Sequence, residues 1–171
     1  MLSILPTDSM TKKTGGFRLP ETIDPAWRVG IVASYYYKEE MDSLVAGAKE
    51  VLLAAGLPKA NVTVWEAPGS FEVPLIGSAL SKANKVDALL GLGIIIEGKT
   101  HHARLLADQV ARGIMDIQVR DAIPFAFEIL YVNDIAQAQE RSTGDMNKGK
   151  EGAFAVLHSL AEIQRIRGAL S

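Results

Sequence analysis

The segment LGLGIIIEGKTHH, residues 90–102, decides whether the chain forms a phosphate-binding loop or a buried strand at this point. Residues 93–100 within it satisfy G-x-x-x-x-G-K-[ST], the phosphate-loop pattern of nucleotide hydrolases. Three of the four variable positions of that pattern are isoleucines: Ile94, Ile95 and Ile96. β-branched residues favour a continuing strand over a tight turn that encloses an anion. We therefore predict a buried strand leading into a different kind of site. A P-loop nucleotide-binding protein, with Asp134 as magnesium ligand, stays as an alternative.

Outward from this segment, strand and helix patterns alternate along the chain. Strands are predicted at WRVGIVAS, NVTVWEA, VDALLGLGIII and IPFAFEILYV. Helices are predicted over residues 38–55, from a turn at PGSFEVP with Ser70 as N-cap, over residues 101–119, and around DIAQAQER and KEGAFAVLHSLAEIQRI. Strands separated by helices pair in parallel through right-handed crossovers. The pattern predicts a three-layer α/β sandwich, with helices on both faces of a parallel sheet.

The composition indicates a soluble domain. The 171 residues are 48% hydrophobic and 22% charged, with a formal net charge of −2 and no cysteine. This balance gives no electrostatic reason to expect nucleic acid or an anionic membrane as partner, and the absence of thiols excludes disulfides and cysteine-ligated metals. Without a membrane-spanning run or a signal peptide, a cytoplasmic location is expected. We predict an irregular N-terminal arm over residues 1–26, bearing Phe17, and a single domain over residues 27–171.

Four stretches follow the predicted strands: SYYYK, APGSFE, EGKTHH and YVND. Ligands of parallel sheets bind beyond the carboxyl ends of the strands, so these stretches are predicted to meet in one site. Lys99, Thr100 and the nearby amides lie where a helix begins, which favours an anion. A histidine there can exchange protons near neutral pH. His101 and His102 would point about 100° apart on a helix, so they are not expected to share a metal, and a merely polar helix start fits them equally.

Several stretches together resemble the lumazine synthase family. The matching segments are PGSFEVP (residues 68–74), GIIIEGKTHH (93–102), IPFAFEILYVNDIAQAQER (123–141) and NKG (147–149), in the family's order. The resemblance implies a four-stranded parallel sheet in flavodoxin-like order. It also implies a transferase of riboflavin biosynthesis. That enzyme condenses 5-amino-6-(D-ribitylamino)uracil with 3,4-dihydroxy-2-butanone 4-phosphate to 6,7-dimethyl-8-ribityllumazine, releasing phosphate and water, with no metal or organic cofactor.

The resemblance further implies a homo-oligomer with active sites between subunits. Members of the family form pentamers, and some stack twelve pentamers into an icosahedral shell. Riboflavin synthase is the partner that the family suggests. The sequence leaves a pentamer, a decamer and a sixty-subunit shell open, and we expect at least a pentamer.

The family's functional residues fall on particular positions of this chain. The spacing T-x-H places the catalytic histidine on His102. The positions that fall on the pyrimidine and ribityl site are Tyr36, Ser70, Phe71, Glu72, Ile94, Ile95, Ile96 and, from the adjacent subunit, Phe127. The positions that fall on the phosphate and butanone site are Lys99, Thr100, Arg141 and Lys148. Without the resemblance, Phe127 would be interpreted as a buried core residue of a strand. Arg141 would be interpreted as a solvated cation at the end of a helix.

The chain also departs from the family pattern. The triplet YYY at residues 35–37 replaces the usual R-F-N, Glu97 occupies a position that is commonly basic, and Glu128 replaces a glycine. These differences support a second alternative, a catalytically weak relative that forms shells or binds flavins.

Overall fold

The computed structural model describes residues 18–169, in which strands and α-helices alternate. The strands are β1 (Val29–Ser34), β2 (Val62–Ala67), β3 (Ala88–Ile96) and β4 (Phe125–Val132). The α-helices are α1 (Lys38–Ala54), α2 (Val73–Lys82), α3 (His102–Asp121), α4 (Ile135–Ser142) and α5 (Lys148–Ala169). Short 3₁₀ turns occupy Lys59–Asn61, Ser70–Glu72 and Gly144–Met146. The predicted elements are all present, with ends that differ by a few residues.

The sheet is entirely parallel, with the strand order β2-β1-β3-β4. This is the flavodoxin-like order that the resemblance implies. The two central strands explain the longest apolar run of the sequence. All of β1 is buried, and so is β3 except for its last residue, because helices cover both faces of the sheet.

Two hydrophobic cores lie on the two faces of the sheet. On one face α1 and α5 bury side chains such as Leu44, Leu52, Phe154 and Leu157. On the other face α2 and α3 bury side chains such as Val73, Leu80, Val110 and Ile114. Full burial of one such side chain contributes roughly 1.5–3 kcal/mol, so these two layers of packing dominate the stability. The predicted three-layer sandwich is confirmed.

Ser70 is not the N-cap of α2, and that prediction is wrong. It begins a 3₁₀ turn, α2 starts three residues later at Val73, and the side chain of Ser70 makes no cap hydrogen bond. Pro74 lies in the first turn of α2, where its missing N–H costs nothing. Ser70 is instead buried, with its hydroxyl in the space that Gly93 of β3 leaves by lacking a side chain. Packing against the sheet outweighs the local preference of serine for a cap.

Part of the predicted arm lies outside the described residues. Residues 1–17, Phe17 among them, belong to that part, and residues 18–28 contain neither helix nor strand. Arg28 fastens this segment to the sheet, since its Nε and Nη2 donate to the two carboxylate oxygens of Asp87 at 3.0 and 2.8 Å. The ion pair lies at the amino ends of β1 and β3, away from their carboxyl ends. None of the helices within residues 18–169 has the length and hydropathy to cross a bilayer.

Candidate active site

A pocket of about 760 Å³ opens at the carboxyl end of β3 and the first turns of α3. The predicted site residues that line it are Tyr36, Ser70, Phe71, Glu72, Ile94, Ile95, Ile96 and His102. They come from four separate parts of the chain: the β1–α1 connection, the 3₁₀ turn before α2, the end of β3 and the start of α3. The fold therefore brings together the pyrimidine and ribityl set predicted from the sequence, apart from Phe127.

The isoleucine run is strand and not loop. Ile94, Ile95 and Ile96 pair in parallel register with Leu130, Tyr131 and Val132 of β4. The ladder continues one residue further, because the N–H of Glu97 donates to the carbonyl of Val132 at 2.8 Å. A phosphate loop needs its variable positions free to curl their amides around an anion. The P-loop alternative is therefore wrong for this chain.

His102 is the first residue of α3 and lies at the mouth of the pocket. Its side chain is exposed, so solvent and a ligand in the pocket can both reach the imidazole. Helix α3 is 20 residues long, and its free amides and positive dipole end favour negative charge beside this histidine. His101 precedes the helix and does not line the pocket, which distinguishes the two neighbouring histidines.

An aromatic ring and a carboxylate flank Gly69 in the pocket. A Cβ atom on Gly69 would lie 3.2 Å from Oε2 of Glu72 and 3.7 Å from Cε2 of Tyr36. The absence of a side chain at Gly69 thus lets both groups face the same space. Tyr37, the next residue, is held at φ 62° and ψ 58° at the start of α1. A tyrosine in this left-handed region is strained, and such strain is common at sites where the turn must aim a side chain.

Sequence reasoning missed the wall of the pocket that α3 provides. Leu105, Leu106 and Gln109 line the pocket together with His102. They lie three, four and seven residues after the histidine, the spacing that places residues on one helical face. That spacing was a usable signal, because a helix beginning at the predicted catalytic histidine would present these positions to the same ligand.

The predicted phosphate residues lie outside this pocket. Lys99 and Thr100 are exposed in the connection between β3 and α3. Arg141, near the end of α4, donates from Nη1 to the carbonyl of Gln137 at 3.2 Å and lies 3.7 Å from Glu140. Lys148 begins α5 and is ion-paired with Glu151. Within one chain, the aromatic side chains of the pocket therefore lie near His102. The cationic side chains of Arg141 and Lys148 lie elsewhere on that chain.

Phe127 also lies outside the pocket of its own chain. It lies on β4, the edge strand, and 41% of its surface is exposed. A phenylalanine in a strand core would be buried, as Phe125 two residues earlier is. The structure thus leaves Phe127 available for contact with another molecule.

Comparison with known proteins decides the family. A family model described as 6,7-dimethyl-8-ribityllumazine synthase matches residues 26–164. The chain belongs to this family. The 6,7-dimethyl-8-ribityllumazine synthase of Xanthobacter autotrophicus is 41% identical over 145 residues, which cover 81% of this chain and 86% of the relative. The synthase of Stenotrophomonas maltophilia K279a is 34% identical over 158 residues, covering 92% and 99%. That of Ruthia magnifica is 34% identical over 145 residues, covering 81% and 87%.

Glu128 is a half-buried acid of β4 in this lumazine synthase family member. The side chain points from β4 towards α5, where a Cβ atom on Gly152 would lie 2.7 Å from its Cγ. Burial raises the pKa of Glu128 to about 8; the charge of Glu151 raises it further, and that of Lys148 partly opposes the rise. The carboxyl is therefore mostly protonated at neutral pH.

Side chains that could bind a metal ion do not cluster in the described part of this lumazine synthase family member. Within residues 18–169, no three His, Cys, Asp or Glu side chains gather in a geometry suited to a metal ion. The chemistry available in the pocket is that of an imidazole, a carboxylate, aromatic faces and backbone amides.

Proposed function

We propose that the protein is a 6,7-dimethyl-8-ribityllumazine synthase that works in riboflavin biosynthesis. The observation that carries the proposal is the pocket itself, in which Tyr36, Glu72 and His102 meet in a chain whose family match spans residues 26–164. The reaction condenses 5-amino-6-(D-ribitylamino)uracil with 3,4-dihydroxy-2-butanone 4-phosphate and releases phosphate and water. The proposal includes a cytoplasmic location, and it includes riboflavin synthase as a partner because the family resemblance suggests one.

The pocket supplies groups that suit the pyrimidine substrate. The exposed face of Tyr36 can stack on the ring, and the carboxylate of Glu72 can accept hydrogen bonds from ribityl hydroxyls. Backbone groups of Ile94, Ile95 and Ile96 border the ring. Leu105 and Leu106 add an apolar wall that excludes water from one side. The second substrate then meets an amine that is already oriented.

His102 is the proton carrier in this proposal. Formation of the imine between the pyrimidine amine and the ketone, elimination of phosphate and ring closure all require proton transfers. An imidazole is suited to these transfers because it can accept and release a proton near neutral pH. Lys99, Thr100 and the start of α3 would hold the phosphate close to the same histidine.

The missing half of the site is assigned to a neighbouring subunit. Phe127, Arg141 and Lys148 lie outside the pocket of their own chain. We infer that they complete the pocket of an adjacent copy, with Arg141 binding the phosphate through its fork of donors. This arrangement requires an oligomer, and the family resemblance implies at least a pentamer. Electron microscopy distinguishes a pentamer, a decamer and a sixty-subunit icosahedral shell.

The test is turnover followed by lumazine fluorescence after both substrates are mixed with the purified protein. We expect His102→Ala to lose roughly 100-fold in kcat and Arg141→Ala to raise the KM for the butanone phosphate. His101→Ala and Arg165→Ala are the matched controls, because neither residue lines the pocket or falls on a site position implied by the resemblance. Wild-type activity in both test variants would overturn the site, and a monomer of 18.4 kDa in light scattering would overturn the shared pocket. Riboflavin binding without turnover would instead identify the flavin-binding alternative.

A further inference from the structure

Asn147 is a buried amide that joins three parts of the chain. It lies between the 3₁₀ turn Gly144–Met146 and helix α5, and only 5% of its surface is exposed. Its Nδ2 donates to the carbonyl of Ser142 at 2.6 Å and to the carbonyl of Ser43 at 2.9 Å. Its Oδ1 accepts from the N–H of Lys150 at 3.2 Å. One side chain thus connects the end of α4, the middle of α1 and the first turn of α5.

These bonds act on the direct neighbours of two predicted phosphate-binding residues. Ser142 follows Arg141, and Asn147 precedes Lys148. The carbonyl of Ser142 also accepts from Oγ of Ser43 at 2.7 Å, so it is held both by Asn147 and by α1. Ser142 is itself buried, at 1% exposure. The backbones that carry Arg141 and Lys148 are therefore anchored to each other and to a third helix.

Close packing leaves no alternative position for the amide. A Cβ atom on Gly47 of α1 would lie 2.5 Å from Oδ1 of Asn147. A Cβ atom on Gly149 would collide with the carbonyl oxygen of Leu44. The two glycines let α1 and α5 approach closely, and the side chain of Asn147 fills the space beside Gly47.

The side chains of the two cations have no comparable anchor. Among residues 18–169, Arg141 contacts Gln137 and Glu140 of its own helix, and Lys148 pairs with Glu151 one turn along α5. The connection between them includes four exposed residues, 143–146, and Gly144 at φ 55°. Without Asn147, the separation of the two cations would depend on this exposed connection and on the bond from Ser43 to Ser142.

We propose that Asn147 is a positioning residue for the phosphorylated substrate, because it holds Arg141 and Lys148 at a fixed separation through the carbonyl of Ser142. This inference rests on the proposed function. Asn147 touches no substrate and acts through its two neighbours. Its removal should therefore affect the phosphate half of the site and leave the pyrimidine half unchanged.

The experiment compares Asn147→Ala with wild type for each substrate separately. We expect the KM for the butanone phosphate to rise at least about tenfold, within the roughly 100-fold that a displacement of 1 Å can cost. Competitive inhibition by inorganic phosphate should weaken by a similar factor. The Kd for the ribitylaminouracil should stay within about twofold, since its pocket lies on other elements. Because phosphate inhibition reports binding, a loss of kcat alone cannot produce this pattern.

Two further variants separate positioning from general loss of structure. Asn147→Asp keeps the size and the acceptor to Lys150, but its carboxylate cannot donate to Ser142 or Ser43. As the pH is lowered, the carboxyl of Asn147→Asp becomes protonated and regains one donor. The KM of this variant for the butanone phosphate should then approach that of wild type, whereas the KM of Asn147→Ala should not. Ser43→Ala removes one of the two donors to the Ser142 carbonyl, so it should give a smaller change in the same direction even if Asn147→Ala fails to fold.

Asp87→Asn is the matched control, since it breaks a polar anchor at the opposite end of the sheet. It should lower stability without changing the ratio of the two substrate affinities. If wild type turns over but Asn147→Ala and Ser43→Ala weaken both substrates equally, or neither, the positioning role is wrong. If wild type itself shows no turnover, the proposed function fails, and the inference fails with it.

Discussion

The hydroxyl of Ser70 occupies the space that a side chain on Gly93 would need. Ser70 belongs to the turn before α2 and Gly93 to β3, so this contact fastens the floor of the pocket to the central strand. Ile129 of β4 closes the same space from the other side, with its Cδ1 3.0 Å from a Cβ atom built at Gly93. The absence of a side chain at Gly93 is therefore a requirement of the pocket.

Gly93→Ala is expected to move Ser70 and weaken binding of the ribitylaminouracil. Overpacking of this kind costs about 1–3 kcal/mol of stability. Isothermal titration calorimetry would measure the affinity and urea unfolding the stability. Gly168→Ala is the control, because a Cβ atom there meets nothing within 4 Å. Equal affinities in wild type and Gly93→Ala would contradict the role of this contact.

Asp87→Asn is expected to destabilise the fold by about 1 kcal/mol at neutral pH, a value discounted for the partial exposure of the pair. The hydrogen-bonded Arg28 guanidinium holds the pKa of Asp87 below its usual value of 3.8. A carboxyl whose pKa is lowered on folding stabilises the protein above the unfolded pKa, and this contribution is lost as the pH falls through the folded pKa.

Urea unfolding between about pH 2 and pH 7 would check this. Wild type should lose its advantage over Asp87→Asn as the pH falls below the unfolded value of 3.8. If wild type stayed more stable than Asp87→Asn at the lowest pH, the ion pair would not be the cause of the difference in stability.

Glu128 is expected to make the protein less stable as the pH rises. Its folded pKa of about 8 lies above the ordinary value of 4.5, so the folded state keeps a proton that the unfolded state releases. Stability should therefore fall between these two values and level off above the folded pKa. The loss should exceed about 1.4 kcal/mol, the equivalent of one pKa unit.

Thermal unfolding of wild type and Glu128→Gln from about pH 5 to pH 9 would test this, and the neutral variant should lack the decline. Glu151→Gln removes one neighbouring charge and leaves Lys148 free to face Glu128. It should therefore move the decline to lower pH. A pH profile shared by wild type and Glu128→Gln would rule out Glu128 as the titrating group.

Glu97→Gln is expected to improve binding of the phosphorylated substrate. Glu97 is half-buried at the end of β3, two residues before Lys99 in the predicted phosphate-binding connection. Removal of its negative charge should lower the KM for the butanone phosphate by roughly two- to fivefold, the range for single charges screened near a protein surface.

The decrease in KM should become smaller as salt is added. Screening by salt already weakens the repulsion between Glu97 and the phosphate in wild type, so less is gained by removing the charge. Glu162→Gln near the far end of α5 is the charge-matched control and should leave the KM unchanged. A KM that rises in Glu97→Gln would mean that Glu97 orients Lys99 and does not repel the phosphate.

The sequence by itself determined the layers of this protein. The apolar run of β3 and the alternation of two hydrophobic periods predicted the parallel sandwich, because burial on both faces leaves a continuous pattern in the chain. The isoleucines at residues 94–96 favoured a strand for the same local reason, but only their pairing with β4 ruled out the P-loop alternative. The place of the site was also predictable, since the carboxyl ends of parallel strands must meet at one edge. The roles of its residues came only from the family resemblance.

Only the tertiary structure decided which local preferences prevailed. Ser70 is not the N-cap of α2, although serine favours that position. It is buried instead against Gly93, which lies on a strand distant in sequence. Asn147 has its hydrogen-bond partners because α1 and α5 pack closely at Gly47 and Gly149. These outcomes depend on distances between segments far apart in the chain, and local patterns of residues carry no information about such distances.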